Sequence, residues 1–405
     1  MQNSPISSST NGNTALRLVP EELELSVVIP CLNEAETLEH CIRVAQNAIE
    51  QHEIDGEVVV ADNGSTDGSI QIAQDAGARV VRVPDRGYGN ALMAGIAAAR
   101  GRYVIMGDAD ASYDFAEIPN FIEKLRGGCD LVQGCRLESG GGTVNPGAMP
   151  LLHRWIGNPF FSSLVRIMFK APIHDVNCGL RGFSKAMYER LEQRCTGMEF
   201  AVEMVLKASL RGEKIGEVPI TLHKDGRVTG SPHLRTFRDG WRTLRFFLIS
   251  SPRWLFLYPG VGLILVGLIA YLFGMPNSSI GSIGFGVNTL VMANLAIICG
   301  YQVLLFSVFT KTFAITEGLL PSDQKFERLF RLFNLERGLI ASGISTLVGL
   351  LLVGFAVLEW VQSGFGPLNT EHSLRLALPG MLFTALGVQS FFASFFLSIL
   401  GMRRK

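Results

Sequence analysis

"LSVVIPCLNEAETLEHCIRVAQNAIEQHEIDGEVVVAD", residues 25–62, decides the fold class. It begins with a compact apolar, β-rich run. The next stretch places Leu38, Cys41, Ile42, Ala45 and Ile49 along one helical face. It closes with "EVVVAD" (57–62), a second continuous apolar run that ends on a carboxylate. Strand, helix and strand, with both strands apolar throughout, predict a crossover unit in a parallel sheet covered on both faces. The alternation continues. "SIQIAQDAG" (69–77) predicts a helix closed by glycine, "ARVVRVP" (78–84) a strand, "GNALMAGIAAARG" (89–101) a helix and "RYVIMGDAD" (102–110) a strand. Residues 23–232 are therefore expected to form an α/β domain on a doubly wound parallel sheet. The polar stretch 1–22 reads as a disordered tail, because it has no apolar run of signal-peptide type.

Ligands of such sheets sit beyond the carboxyl ends of the strands. Here those ends are polar: Pro30-Cys31-Leu32-Asn33-Glu34, then Asp62-Asn63-Gly64-Ser65-Thr66-Asp67-Gly68, then Asp108-Ala109-Asp110. No G-x-G-x-x-G follows the first strand and no G-x-x-x-x-G-K-[ST] is present, which disfavours dinucleotide and P-loop chemistry. A D-x-D turn suits Mg²⁺ or Mn²⁺, hard cations that take carboxylate oxygen and keep positions for phosphate oxygen. A polar turn with solvated acids gives the same three letters. Three polar tips converging on one crevice are what favour a binding site.

The composition changes beyond about residue 250. Residues 254–275, 282–310, 338–358 and 376–402 contain no Asp, Glu, Lys or Arg. Each is long enough to cross a hydrocarbon core of about 30 Å as a helix. They predict a transmembrane domain over 253–405 with spans near 254–275, 285–309, 338–358 and 378–400. The connection 311–337 carries Lys311, Lys325, Arg328, Arg331 and Arg337, and the chain ends in Met-Arg-Arg-Lys. The positive-inside rule puts both, and the N-terminal domain, in the cytoplasm of a multi-pass inner-membrane protein. Between domain and spans, over 233–252, Arg235, Arg238, Arg242 and Arg245 share one helical arc and Phe237, Trp241, Leu244 and Leu248 another. That pattern predicts a juxtamembrane amphipathic helix lying on an anionic leaflet. "LLHRWIGNPFFSSLVRIMFK" (151–170) reads as a second surface helix, and the glycines of "ESGGGTVNPGAMP" (138–150) as a mobile lid.

Thirty-six basic and 36 acidic residues balance to a net charge of zero, so no nucleic-acid partner is indicated. The seven cysteines show no C-x-x-C, so neither a zinc site nor a disulfide framework is expected.

"VVIPCLNEAETL", "VVVADNGSTDGS", "GYGNALMAGI" and "MGDADASYDF", in this order, resemble the family 2 glycosyltransferases. "DVNCGLRGFSK" (175–185), "GMEFAVEMVLKA" (197–208) and "EVPITLHKDGRVTGSPHLRTFRDGWRTLRFF" (217–247) are similar to the polyprenyl-phosphate branch, of the dolichyl-phosphate mannose or glucose synthase type. The resemblance covers about 25–250 and implies a GT-A type fold and a nucleotide-sugar donor. It implies that Pro30, Asn33 and Glu34 line the nucleotide pocket and that Asp62 holds base or ribose. Asp108 and Asp110 would hold ribose, metal and diphosphate, with Mg²⁺ or Mn²⁺ as cofactor. Arg136, Arg181 and Arg227 would bind donor diphosphate and lipid phosphate, since a guanidinium matches phosphate with a planar fork. Two positions depart from the family pattern. Gly87-Tyr88-Gly89 stands where many members have Lys, and Ser112 where some have a Gln metal ligand.

The reaction implied is inverting transfer of one sugar from a UDP- or GDP-sugar to a polyprenyl phosphate. Arg181 and Asp175 are its expected catalytic residues. A phosphate monoester has a second pKa near ~6 and is mostly dianionic at neutral pH, so it needs little help from a base. Asp175, where this family's base is usually placed, is therefore expected to orient more than to abstract. Competing readings are a processive polysaccharide synthase, whose Q-x-x-R-W is missing at both Arg154-Trp155 and Arg253-Trp254, and an inactive membrane scaffold, against which the intact acids argue. Homo-oligomerisation is left open.

Overall fold

The computed structural model describes residues 23–227, 236–316, 335–367 and 369–401. The expected tail, Arg235, Lys325, Arg328, Arg331 and the basic C-terminus lie outside the described residues. The chain divides into two compact units: residues 167–170 group with those from 233 onward, and the rest form the other unit.

The first unit is built on a seven-stranded sheet. Its strands are β1 (Leu25–Cys31), β2 (Gly56–Asp62), β3 (Arg79–Arg82), β4 (Tyr103–Met106), β5 (Leu131–Cys135), β7 (Arg181–Ser184) and β8 (Ile215–Pro219). Their order is β3-β2-β1-β4-β7-β5-β8. β1 to β4 pair in parallel, as the sequence predicts. Leu25, Val27, Val28 and Ile29 are fully buried, which explains why β1 reads as a continuous apolar run: both faces of the sheet are covered. β7 differs, running antiparallel to both β4 and β5. The sheet is therefore parallel-dominated and mixed, and β7 presents its N-terminal Arg181 at the end where the parallel strands finish.

Seven helices accompany these strands: α1 (Leu38–Gln51), α2 (Ser69–Asp75), α3 (Tyr88–Ala98), α4 (Ile118–Arg126), α5 (Asn158–Phe169), α6 (Lys185–Leu191) and α7 (Glu199–Arg211). α1 buries Leu38, Cys41, Ile42, Ala45, Ala48 and Ile49, its sequence-predicted face plus Ala48. It begins at Leu38, the first residue of that face. The Glu34 amide donates to Ser69 Oγ (3.0 Å) and the Ala35 amide to Asp67 Oδ2 (3.0 Å), which ties this entry turn to the loop after β2.

The glycine-rich stretch expected as a lid is anchored at its middle, where Gly142 and Val144 are buried. Thr143–Val144 (β6) pairs with Thr221–Leu222 (β9). A Cβ on Gly142 would lie 2.2 Å from the Cys135 carbonyl oxygen, so that glycine permits close backbone approach. From Leu151 onward the chain is helical through a π-turn at His153–Gly157. Leu151, Leu152, Trp155, Ile156 and Phe160 are exposed there, as on a surface helix.

The second unit contains α8 (Thr236–Ser250) and four long apolar helices: α9 (Tyr258–Gly274), α10 (Val287–Thr316), α11 (Leu335–Gln362) and α12 (Thr370–Leu400). These four, α9 extended back to Arg253, are long and apolar enough to cross a membrane. The residues α9 buries are Gly260, Gly267 and Gly274, and those α11 buries are Ser342, Gly349 and Ala356. Lipid tails are as apolar as leucine, so helices in a membrane associate by close packing of small residues. A Cβ on Gly260 would meet the Gly300 oxygen at 2.9 Å, and one on Gly349 the Thr384 amide nitrogen at 2.4 Å. Polar contacts add direction. Tyr271 donates to Asn294 Oδ1, and Asn294 Nδ2 donates to the Leu378 carbonyl (2.8 Å), joining α9, α10 and α12. Arg375 donates to the Gly274 and Met275 carbonyls and so caps the C-terminus of α9.

Candidate active site

The loops after β1, β2 and β4 and the start of β7 meet at one end of the sheet. Asp62, at the end of β2, accepts hydrogen bonds on Oδ2 from the Gly64 (3.0 Å) and Ser65 (3.2 Å) amides and shapes that turn. Asn33 has a φ of 58° and accepts the Thr66 amide on Oδ1 (2.8 Å), clasping the first loop to the second. Asn63 reaches onward, donating to the Asp85 carbonyl (2.8 Å) and accepting from the Gly87 amide (2.7 Å). Pro30 completes the end of β1, paired with Ala61 of β2.

Asp108 and Asp110 sit on the turn beyond β4. The two positions that depart from the family pattern each contact one of these acids. Tyr88 donates to Asp108 Oδ1 (2.9 Å), and Ser112 donates through Oγ to Asp110 Oδ1 (2.6 Å). Each acid is thus held by one hydroxyl. Tyr88 is aimed by its flanking glycines: the Gly89 amide donates to the Thr196 carbonyl (2.9 Å), and a Cβ on Gly89 would lie 2.4 Å from the Cys195 oxygen. Burial, and then the charge of Asp110, raise the Asp108 carboxyl from its ordinary 3.8 to about 6, although Tyr88 pulls the other way. Among the described residues no third His, Cys, Asp or Glu completes a metal-binding group with these two. Two hard carboxylates with open positions fit Mg²⁺ or Mn²⁺ whose shell is completed by phosphate and water.

Glu34 and Arg227 close the rim. Arg227 grips Glu34 with both prongs (2.8 and 2.6 Å), donates to Asp225 (3.1 Å) and lies 3.9 Å from Asp110 Oδ2. These carboxylates raise the guanidinium pKa further above its ordinary value, the Glu34 hydrogen bond most of all.

The floor is different. Arg136 donates to Asp175 through its amide (3.1 Å), Nε (2.7 Å) and Nη2 (2.9 Å), and Asp175 is fully buried. Nη1 of Arg136 reaches the Tyr113 hydroxyl (3.3 Å), which also accepts the Gly179 amide (2.8 Å). Gly179 lies against the acids: a Cβ there would be 2.7 Å from Asp108 Oδ2. Arg181 departs from its expected placement toward phosphate. It is fully buried and donates to the carbonyls of Ala201 and Cys178 (2.5 Å), because β7 places it inside the sheet between β4 and β5.

The sequence reading missed Tyr88, Ser112 as a partner of Asp110, Tyr113, Gln133 and Glu217. Tyr88 carried the one available signal, an aromatic residue between two glycines at a helix start.

Residues 26–192 match the description "Glycosyl transferase family 2", and 308–401 match "Glycosyltransferase family 2 C-terminal transmembrane region". The chain is 36% identical over 379 residues to the low-salt glycan biosynthesis hexosyltransferase Agl6 of Haloferax volcanii, covering 93% of this chain and 89% of that protein. It is 34% identical over 165 residues to the dolichyl-phosphate hexose transferase of the same organism, covering 40% of this chain and 68% of that one. A solved structure of Mycobacterium tuberculosis glucosyl-3-phosphoglycerate synthase with Mn²⁺, UDP and glucosyl-3-phosphoglycerate aligns at a TM-score of 0.43 and 23% identity, over 56% of this chain and 79% of that one.

Proposed function

On the premise that the chain belongs to glycosyl transferase family 2 and carries that family's C-terminal transmembrane region, we propose that it moves a single hexose from a UDP- or GDP-sugar to a polyprenyl phosphate. The product is a lipid-linked monosaccharide made at the cytoplasmic face of the membrane, with inversion at the anomeric carbon. One observation carries the donor side: Asp108 and Asp110 are each restrained by a hydroxyl, and the Arg227 guanidinium lies 3.9 Å from Asp110. Paired acids beside an arginine make a cradle for a metal-bound diphosphate. The relative named for dolichyl-phosphate hexose transfer supports the lipid acceptor.

Each side chain then has a task. Pro30, Asn33 and Glu34 line the nucleotide pocket, and Asp62 shapes its turn and offers remaining lone pairs to base or ribose. Arg227 exchanges Glu34 and Asp225 for donor phosphate. A divalent cation held by Asp108 and Asp110 would supply positive charge to the departing nucleoside diphosphate. The lipid phosphate, already mostly dianionic, attacks the anomeric carbon with its own oxygen as the bond to the diphosphate oxygen breaks. No base is required, and Asp175 has both oxygens engaged by Arg136. Asp175 and Arg136 hold the acceptor side of the floor, and Arg181 supports the turn at Cys178 beneath it. The spans anchor the enzyme, with α8 on the leaflet surface.

The test is purified full-length protein in detergent with nucleotide sugars and undecaprenyl or dolichyl phosphate. A lipid-linked monosaccharide that disappears with excess chelator is expected. Chain growth from a single donor, or turnover undiminished by chelator, overturns the proposal. Asp110→Ala should lower transfer by about 100-fold or more.

A further inference from the structure

The loop from His174 to Gly179 carries Asp175 yet has no regular secondary structure. It is held from the sheet beneath. Gln133 of β5 is in register with Arg181 of β7 on one side and with Glu217 of β8 on the other. Directly paired residues project from the same face of a sheet, so these three side chains form a row across three strands. Each grips the loop. Arg181 donates to the Cys178 carbonyl (2.5 Å). Gln133 Nε2 donates to the carbonyls of Asp175 (3.1 Å) and Cys178 (3.0 Å). Glu217 takes the opposite polarity: Oε1 accepts the amides of His174 (2.7 Å) and Asp175 (3.2 Å), and Oε2 pairs with His174 Nδ1 (2.7 Å). The row thus engages both the donors and the acceptors of one turn.

We infer that Glu217 is a positioning residue for sugar transfer, acting through the Asp175–Arg136 clasp; this rests on the transfer reading above. Without the Glu217 oxygens, two loop amides lose their acceptor beside the buried Asp175. The aspartate then shifts, and Arg136, Tyr113 and Gly179 shift with it, next to Asp108. A displacement of that kind slows a reaction whose groups must stay in line, and it leaves the nucleotide loops after β1 and β2 untouched.

The experiment compares Glu217→Ala and Glu217→Gln in the full-length protein. Glutamine keeps an oxygen for both amides and offers an N–H to the imidazole. Glu217→Ala should lower kcat by about tenfold or more while Kd for UDP or GDP with Mn²⁺ stays within about twofold, and Glu217→Gln should stay within about threefold of the parent. An unchanged kcat in Glu217→Ala, or equal damage in both variants, overturns the inference. Should the parent itself transfer no sugar to any lipid phosphate, the transfer reading fails and amide exchange decides this one. Peptides covering 174–179 should exchange about tenfold faster in Glu217→Ala than in Glu217→Gln, and equal rates overturn it.

Discussion

Arg136 grips Asp175 and Arg227 grips Glu34 with the same two-pronged geometry. The first pair lies in the floor, with side-chain exposures of 10% and 0%, and the second at the rim, with 21% and 9%. In the floor every prong is answered by a neighbour that is itself fixed. At the rim the arginine is shared among three carboxylates, one of them at 3.9 Å, and water reaches it. A buried ion pair is costly to break from one side, because the remaining charge has no solvent to turn to. A rim pair exchanges partners cheaply. Residue type alone therefore does not say whether an arginine's charge is on offer to a phosphate; its surroundings do.

The strongest way to break this contrast is Asp175→Ala. It strands Arg136 and should lower unfolding stability by about 3–5 kcal/mol, read by denaturant titration in detergent. Glu34→Ala leaves Arg227 with Asp225, Asp110 and water and should cost only about 1 kcal/mol while weakening Mn²⁺-dependent nucleotide binding. Equal stability losses would erase the distinction between floor and rim. A finer probe is Asp108. Its folded pKa of about 6 lies above the ordinary 3.8, so its contribution to cation-free stability is complete below 3.8 and is lost as pH rises through about 6. Cation affinity runs oppositely and should fall as pH drops through 6. Tyr88→Phe removes a bond that lowers this pKa, so the midpoint for Mn²⁺ binding should move up, by about one unit or less; a downward move would contradict the assigned contact. The smallest effect extends the contrast to the membrane surface. Changing Arg238, Arg242 and Arg245 of α8 to Glu should raise the apparent KM for lipid by about threefold to tenfold, with KM for nucleotide sugar nearly unchanged. Equal changes in both would make α8 a packing element.

Much of this was legible in the chain. β1, β2 and β4 announce themselves as apolar runs, α1 by its stripe, the four long helices by lacking charge, and the crevice by acids placed where strands stop. What stayed hidden depends on contacts distant in sequence. β7 is four residues long and contains Gly182, so it carries no period and no length signal. Missing that strand hid how deeply Arg181 is set in the sheet. Tyr88 and Asp108 are twenty positions apart, and Glu217 and Asp175 forty-two, and no local pattern records such pairs. The glycines of 138–150 suggest freedom when read singly, yet Gly142 is where two backbones nearly touch.

Gly260, Gly267 and Gly274 recur every seven residues, as do Ser342, Gly349 and Ala356. Seven residues is nearly two turns, so each seam keeps its bearing with a drift of only about 20° per repeat. A substitution on the lipid side leaves that phase untouched. One inserted or deleted residue turns everything beyond it by about 100° and swings bulky side chains into the seam. These helices can therefore change composition widely while their length stays fixed, and any tolerated change of length belongs in the connections between them.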